Sequence, residues 1–278
     1  MGGMGLRARW RRSAGMVAGV ALLLVAASCD WPEGTRFVHQ VFDEVEITRD
    51  VVYRSTTTYD GQPIDLRLDI YEPAGDDADE RPAVMWMFGG GFTAGQKEHM
   101  AMYAEDSARR GYVGVTLQYR LRPSFSVEGV IDGYNDALAG VEWLIAHADE
   151  YRIDPEAVVP AGYSAGAYNA MHVLDFPADT PAAGGIAIAG GTGVMPTAGD
   201  RPTIMFHGTA DTTVETQTGL DRCNAGNAAG ARCTWVPYEG RDHFIAYYPD
   251  TQPDIMARAH DWVFEEVLWP LGYRPGTA

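Results

Sequence analysis

The chain is short of positive charge: 21 basic side chains face 38 acidic ones among 278 residues, a formal net charge of −17. Binding phosphates needs a basic face, so nucleic acid is excluded as a partner. The acidity reads instead as a solvated surface, with Asp76, Asp77, Asp79 and Glu80 as one such loop. Glycine (32) and proline (16) are spread along the chain instead of clustered, which leaves no low-complexity tract, and no segment repeats. Disorder and coiled coil both fit poorly to 46% hydrophobic and 21% charged residues, so one globular domain of the larger α/β kind is expected. Cysteines number only three, with no His or Cys cluster beside them at ligand spacing, so no metal site is expected.

A bilayer-spanning run is also missing near the start. Arg7, Arg9, Arg11 and Arg12 precede the uncharged run Ala14–Ala27, which is too short to cross a membrane and fits the h-region of an export signal. The run ends in Ala26, Ala27, Ser28 and Cys29, which resembles a bacterial lipobox, with Cys29 as the lipidated mature N-terminus; an ordinary cleaved signal peptide is the alternative. The Arg11–Arg12 pair hints at twin-arginine export, but a Sec signal is simpler. Removing residues 1–28 takes away four arginines and no acids, leaving 17 basic against 38 acidic side chains and a net charge of −21. Export suits the other two cysteines, because Cys223 and Cys233 can form a disulfide in an oxidising compartment. The expected organisation is thus a signal peptide over 1–28, a linker over 29–44 and one domain over 45–278, exported and membrane-anchored, or else secreted or periplasmic. Nothing in the sequence fixes an oligomeric state.

Beta-rich segments come first, over 45–54 and 65–71; in the second, Leu66, Leu68 and Ile70 alternate with Asp65, Arg67 and Asp69 as in a half-buried strand. From Ala83 the pattern changes to short apolar runs, over 83–88, 113–117, 157–160, 185–189, 203–206 and 234–236. Helical stretches over 98–110, 130–148, 165–174, 215–225 and 254–269 separate most of them, which predicts a mostly parallel sheet covered on both faces. About a dozen residues separate Ala189 from Thr203, too few for a helical cap domain, so an open site is expected.

Gly162, Tyr163, Ser164, Ala165 and Gly166 make a G-x-S-x-G elbow between a strand and a helix, a turn that exposes a serine hydroxyl at a helix N-terminus. A serine is a weak nucleophile and needs a base held by a carboxylate. Asp211 follows the strand at Thr203, and His243 follows the strand at Thr234, in the order Ser, Asp, His that goes with this elbow. Asp242 and Asp250 are the alternative carboxylates. Of the seven histidines, His39 precedes the sheet and His99, His147, His172 and His260 fall in helical stretches, where surface or core roles are expected; His207 is expected to support the Asp211 loop. Gly89, Gly90 and Gly91 follow a strand and can aim N–H groups at an oxyanion, joined by Ala165. A phosphate cradle fails because no Lys-Ser or Lys-Thr pair follows the glycines. Phe92 and Tyr163 flank the site and either line a pocket or pack on the core.

These residues, with Asp69, Ile70, Tyr71, Pro73, Gly95, Tyr119, Arg120, Asp136, Ala137, Trp143, Leu144, Asp154, Pro155, His207 and Gly208, resemble the carboxylesterase and acyl-esterase group of α/β-hydrolases with an HGGG oxyanion loop, including feruloyl-esterase-like and hormone-sensitive-lipase-like members. The resemblance spans about residues 60–265 and implies a single α/β-hydrolase domain. It implies a serine carboxylic-ester hydrolase without cofactor, with Ser164 as nucleophile, His243 as base, Asp211 as orienting acid, and the N–H groups of Gly90, Gly91 and Ala165 as oxyanion donors. Small acyl or carbohydrate-linked esters are the expected substrates. A peptidase or polyester depolymerase of the same fold, or a surface binding protein without turnover, are the rivals. One position departs from the pattern: Phe88 stands where the family has the histidine that braces the glycine loop.

Overall fold

The computed structural model describes residues 31–177, 179–191 and 194–276, so the expected signal segment and Cys29 lie outside the described residues. Alternation over Leu66, Leu68 and Ile70 yields β2 (Pro63–Pro73), which buries all three and pairs antiparallel with β1 (Val45–Thr57). The continuous apolar runs become β3 (Arg81–Met87), β4 (Val113–Leu117), β5 (Ile153–Tyr163), β6 (Gly185–Ile188), β7 (Thr203–Gly208) and β8 (Cys233–Tyr238). They form one eight-stranded sheet in the order β1-β2-β4-β3-β5-β6-β7-β8, parallel from β4 to β8, with β2 antiparallel to β4. The helices are α1 (Ala101–Arg109), α2 (Val127–Ala146), α3 (Ala148–Tyr151), α4 (Ala165–Asp175), α5 (Thr216–Ala229) and α6 (Gln252–Val263).

Both faces of β3 are covered, which is why its pattern is unbroken instead of alternating. Trp86 turns to one face, where its Nε1 donates to Ser107 Oγ of α1 (3.0 Å), while neighbouring Met85 turns to the other and meets α2 at Gly140. From β3 the chain steps to β4 on one side and then returns across to β5 on the other. Strand order therefore reverses at β3, and a crevice opens at the carboxyl ends of the strands there.

Some expectations are corrected. The acidic loop is not uniformly solvated: Asp76 is buried and takes a bidentate pair from Arg36 (2.9 and 2.6 Å). Residues 35–38 of the expected linker are buried as well, because Phe37 packs edge-on against Tyr112 and Tyr273 and its amide donates to Arg110 O. α2 begins at Val127 instead of 130, since Ser126 caps it by accepting from Gly129 N (3.1 Å). β5 starts earlier than the apolar run, where Ile153 pairs with Arg81 across a register shift.

Lys97, the chain's single lysine, is held by Glu98 (2.7 Å), Asp69 (2.9 Å) and Asp50 (3.1 Å). Burial opposes its charge, but those carboxylates outweigh it and raise its pKa. This cluster ties β1 and β2 to the segment before α1. Cys223 and Cys233 are joined in a disulfide that ties α5 to β8.

His260 of α6 is fully buried, with Nδ1 2.7 Å from Met256 O and Nε2 3.0 Å from Ser107 Oγ. Burial, helped by Arg110, pushes its pKa down from 6.5 to about 4. Between those values the unfolded chain binds a proton here that the folded chain does not, so stability is kept above about pH 6.5 and falls as pH drops toward 4. The loss from this residue should reach on the order of 3 kcal/mol. Urea midpoints at pH 7 and pH 4.5 should therefore separate strongly in the wild type, and His260→Gln should narrow the gap.

Candidate active site

The elbow is a packing problem that only glycine solves at two positions. A Cβ at Gly166 would sit 2.2 Å from the carbonyl oxygen of Met87, and one at Gly162 would sit 2.3 Å from the Gly166 backbone. With both bare, α4 starts hard against the end of β3, and Ser164 between them takes φ 51°, ψ −116°. Its amide is fixed by Ile188 O (2.9 Å). The forced turn lifts Oγ off the sheet edge at the helix N-terminus.

The loops after β7 and β8 bring the other two residues to it. His243 Nε2 lies 3.0 Å from Ser164 Oγ, and His243 Nδ1 lies 2.8 Å from Asp211 Oδ2. Asp211 Oδ1 accepts from the amides of Thr213 (2.8 Å) and Val214 (3.0 Å). Burial opposes the Asp211 charge, but His243 and those two amides outweigh it and hold its pKa below the usual carboxylate range. His207 Nε2 sits 3.1 Å from Asp211 Oδ2 and 3.0 Å from Val214 O, the position expected of a residue that supports this loop; burial pushes its pKa down. The alternative acids are turned elsewhere: Asp242 accepts from Phe244 N and Tyr248 Oη, and Asp250 pairs with Arg241. The arrangement can pass a proton from Ser164 to His243 while Asp211 holds the imidazole in line.

Phe88, where the resembled pattern has a histidine, is fully buried and stacks on Tyr119 (centroids 4.3 Å, 11° between planes). Tyr119 Oη donates to Phe88 O (2.7 Å), and Arg122 N donates to Phe92 O (2.9 Å), so the segment after β4 grips the glycine loop at both ends. That segment is fastened in turn by Arg120, which forks onto the buried carboxylate of Asp136 (2.8 and 2.9 Å). Inside the loop, Thr93 and Ala94 amides donate to Gly90 O (3.1 Å each), with Gly90 and Gly91 at φ +126° and +61°. Gly90, Gly91 and Ala165 all border the cavity beside Ser164. The loop is thus rigid by aromatic stacking and backbone capture instead of through an imidazole.

Ser164 opens into a cavity of about 1080 Å³, walled largely by apolar side chains. Phe92 and Tyr163, read as pocket lining or core packing, do both: each is buried in the core and borders the cavity, and the Tyr163 ring lies 5.2 Å from that of His243. Among the described residues no helix stands between β6 and β7, in line with the missing cap. Sequence reasoning missed most of the walls: Tyr168, His172, Phe125, Val130, Val214, Phe244 and Tyr247. Tyr168 and His172 could have been found, since they follow Ser164 by four and eight residues and share its side of α4. His172 is more than a core imidazole; burial, with Arg222 adding, lowers its pKa to about 4, so it lines the cavity as a neutral ring. His99, expected at the surface or in the core, borders the same cavity.

Comparison with known proteins follows the same lines. The BD-FAE family model matches residues 68–173. A probable isoprenylcysteine alpha-carbonyl methylesterase of Oryza sativa subsp. japonica is 28% identical over 62% of this chain and 36% of its own length. Phenmedipham hydrolase of Pseudarthrobacter oxydans is 30% identical over 43% of this chain and 26% of its own. The chain thus spans about a third or less of these relatives. Among solved structures, esterase 2 of Thermogutta terrifontis phosphorylated by paraoxon superposes with a TM-score of 0.71 at 27% identity, covering 85% of this chain and 97% of that one. Its butyrate-bound form gives 0.70 at 26% identity, covering 84% and 96%. The fold is the α/β-hydrolase fold of those esterases, a single mostly parallel sheet with helices on both faces.

The φ and ψ of Ser164 store strain of about 1–3 kcal/mol, more than the unfolded-state entropy that a glycine adds. Ser164→Gly should therefore raise stability by about 1 kcal/mol, read as an upward shift of the urea midpoint.

Proposed function

We propose that the protein is a serine carboxylic-ester hydrolase. The observation that carries this is the unbroken hydrogen-bond chain Asp211–His243–Ser164 opening into an apolar cavity. Ser164 Oγ attacks the ester carbonyl as His243 takes its proton, and the same imidazolium returns that proton to the leaving alcohol. Asp211 stabilises the imidazolium. The N–H groups of Gly90, Gly91 and Ala165 receive the oxyanion of the tetrahedral intermediate. Water, activated by His243, then releases the acyl group. No cofactor takes part in this scheme.

Small acyl esters are the proposed substrates, with carbohydrate-linked esters as the natural extension. An apolar wall suits a short acyl chain, and the similar Thermogutta esterase is described with butyrate bound and phosphorylated by paraoxon. The site proposed for the acyl group is the wall of Phe92, Tyr163 and Tyr168. We propose further that the protein is exported and held at a membrane by lipid on Cys29; the signal pattern in the sequence and the Cys223–Cys233 disulfide, which needs an oxidising compartment, support this.

Hydrolysis of p-nitrophenyl esters from acetate to palmitate tests the chemistry. Activity should peak at short chains and fall on the order of 10⁴-fold or more in Ser164→Ala and His243→Ala. A folded protein silent across the whole series would instead favour the binding-protein reading. In Tyr119→Phe the ring stack persists but the hydrogen bond to Phe88 O is lost, a cost of about 1 kcal/mol. That should lower kcat about fivefold with KM little changed, which steady-state kinetics on p-nitrophenyl acetate would show.

A further inference from the structure

The two ends of the described chain meet on one face. The Trp31 ring packs edge-on against Phe264 (4.9 Å) and beside Trp269 (5.7 Å), and the Arg274 guanidinium lies over Trp269 (4.2 Å). Trp269 and Leu271 remain 40% and 41% exposed, with exposed Pro270 between them and exposed Pro32 beside Trp31 in the chain. Exposed tryptophan, leucine and arginine grouped this way match the composition of surfaces that sit at the boundary between water and lipid.

Where this face lies is fixed by the fold. Phe37 packs on Tyr112, the residue before β4, and Tyr273 Oη donates to Asp154 (2.8 Å) at the start of β5. Ser164 directly follows the last residue of β5. Ten residues of strand at about 3.3 Å each separate Asp154 from Ser164, so this face and the cavity stand at opposite ends of the sheet, about 30 Å apart.

We infer that the face formed by Trp31, Trp269 and Leu271 docks on the lipid bilayer, holding the cavity mouth away from the membrane. The inference rests on the proposed lipid at Cys29, which precedes Trp31 by two residues. Two residues of extended chain reach at most about 7 Å, so acyl chains attached there force this face against the bilayer whatever else approaches it. With a net charge of −21 beyond the signal segment, contact comes from apolar insertion and not from attraction to anionic headgroups. The esters reached are then those arriving from the aqueous side, not the lipids of the anchoring membrane.

The test uses the full chain, exported and processed in a bacterial host and reconstituted into phosphatidylcholine vesicles carrying brominated acyl chains. Mass spectrometry of the N-terminal peptide comes first; a chain without lipid on Cys29 overturns the anchoring reading and the docking with it. In acylated protein, quenching of tryptophan emission by the brominated lipid should fall at least twofold in Trp31→Phe/Trp269→Phe. Leu271→Asp, an exposed change that leaves packing intact, should also reduce it. Equal quenching in wild type and both variants overturns the docking face while leaving the anchor standing. Dimerisation of the unacylated chain beginning at Asp30 that Leu271→Asp abolishes would assign the face to a second copy and overturn the lipid assignment. Ester hydrolysis is not read in any arm, so failure here is separate from failure of the catalytic proposal.

Discussion

The contact between the Gly166 backbone and the carbonyl of Met87 is the constraint on which the site depends. Because no side chain separates them, the N-terminus of α4 sits directly on the end of β3. Three things follow from that one approach. Ser164 is driven into a backbone region that side chains avoid; the glycine loop leaves β3 close to the serine; and Ala165, the first residue of α4, borders the same cavity as Gly90 and Gly91. A helix that started one ångström further away would separate the proposed nucleophile from the proposed oxyanion donors, and no adjustment of His243 would reunite them.

Around this fixed point the supporting parts are arranged as braces. Asp211 is oriented by two backbone amides and His207 before it meets His243, so the carboxylate has little freedom to follow the imidazole away from the serine. The glycine loop is gripped by Tyr119 and Arg122, and Arg120 between them is held by Asp136 on α2. The braces come from two parts of the chain, β4 to α2 and β7 to α5. The sheet serves as the rigid frame that registers them.

Much of this was legible in the sequence, and for identifiable reasons. The elbow, the acid and the histidine are marked by their places after apolar runs, and the sheet by its switch from alternating to continuous hydrophobicity. The alternation over residues 65–71 marked a half-buried strand, which is β2 beside the antiparallel edge strand β1. What escaped lies in tertiary contact. Asp76 reads as solvated until Arg36 arrives from 40 residues away, and residues 35–38 read as linker because nothing local announces Tyr112 and Tyr273. Phe88 reads as a lost brace, yet Tyr119, 31 residues on, replaces it by stacking and a hydrogen bond to the main chain. The cavity walls come from loops and one helix face, where no periodic pattern separates lining from packing.

The lone lysine has a practical bearing on the chemistry of the molecule's surface. Apart from the chain terminus, Lys97 is the only primary amine, and three carboxylates clasp it with its side chain 7% exposed. The folded surface thus offers almost nothing to aldehydes, activated esters or other amine-directed reagents. Covalent labelling of this lysine becomes a clock for the opening of the β1–β2 edge, since the ammonium must leave its carboxylates and lose a proton before it can react.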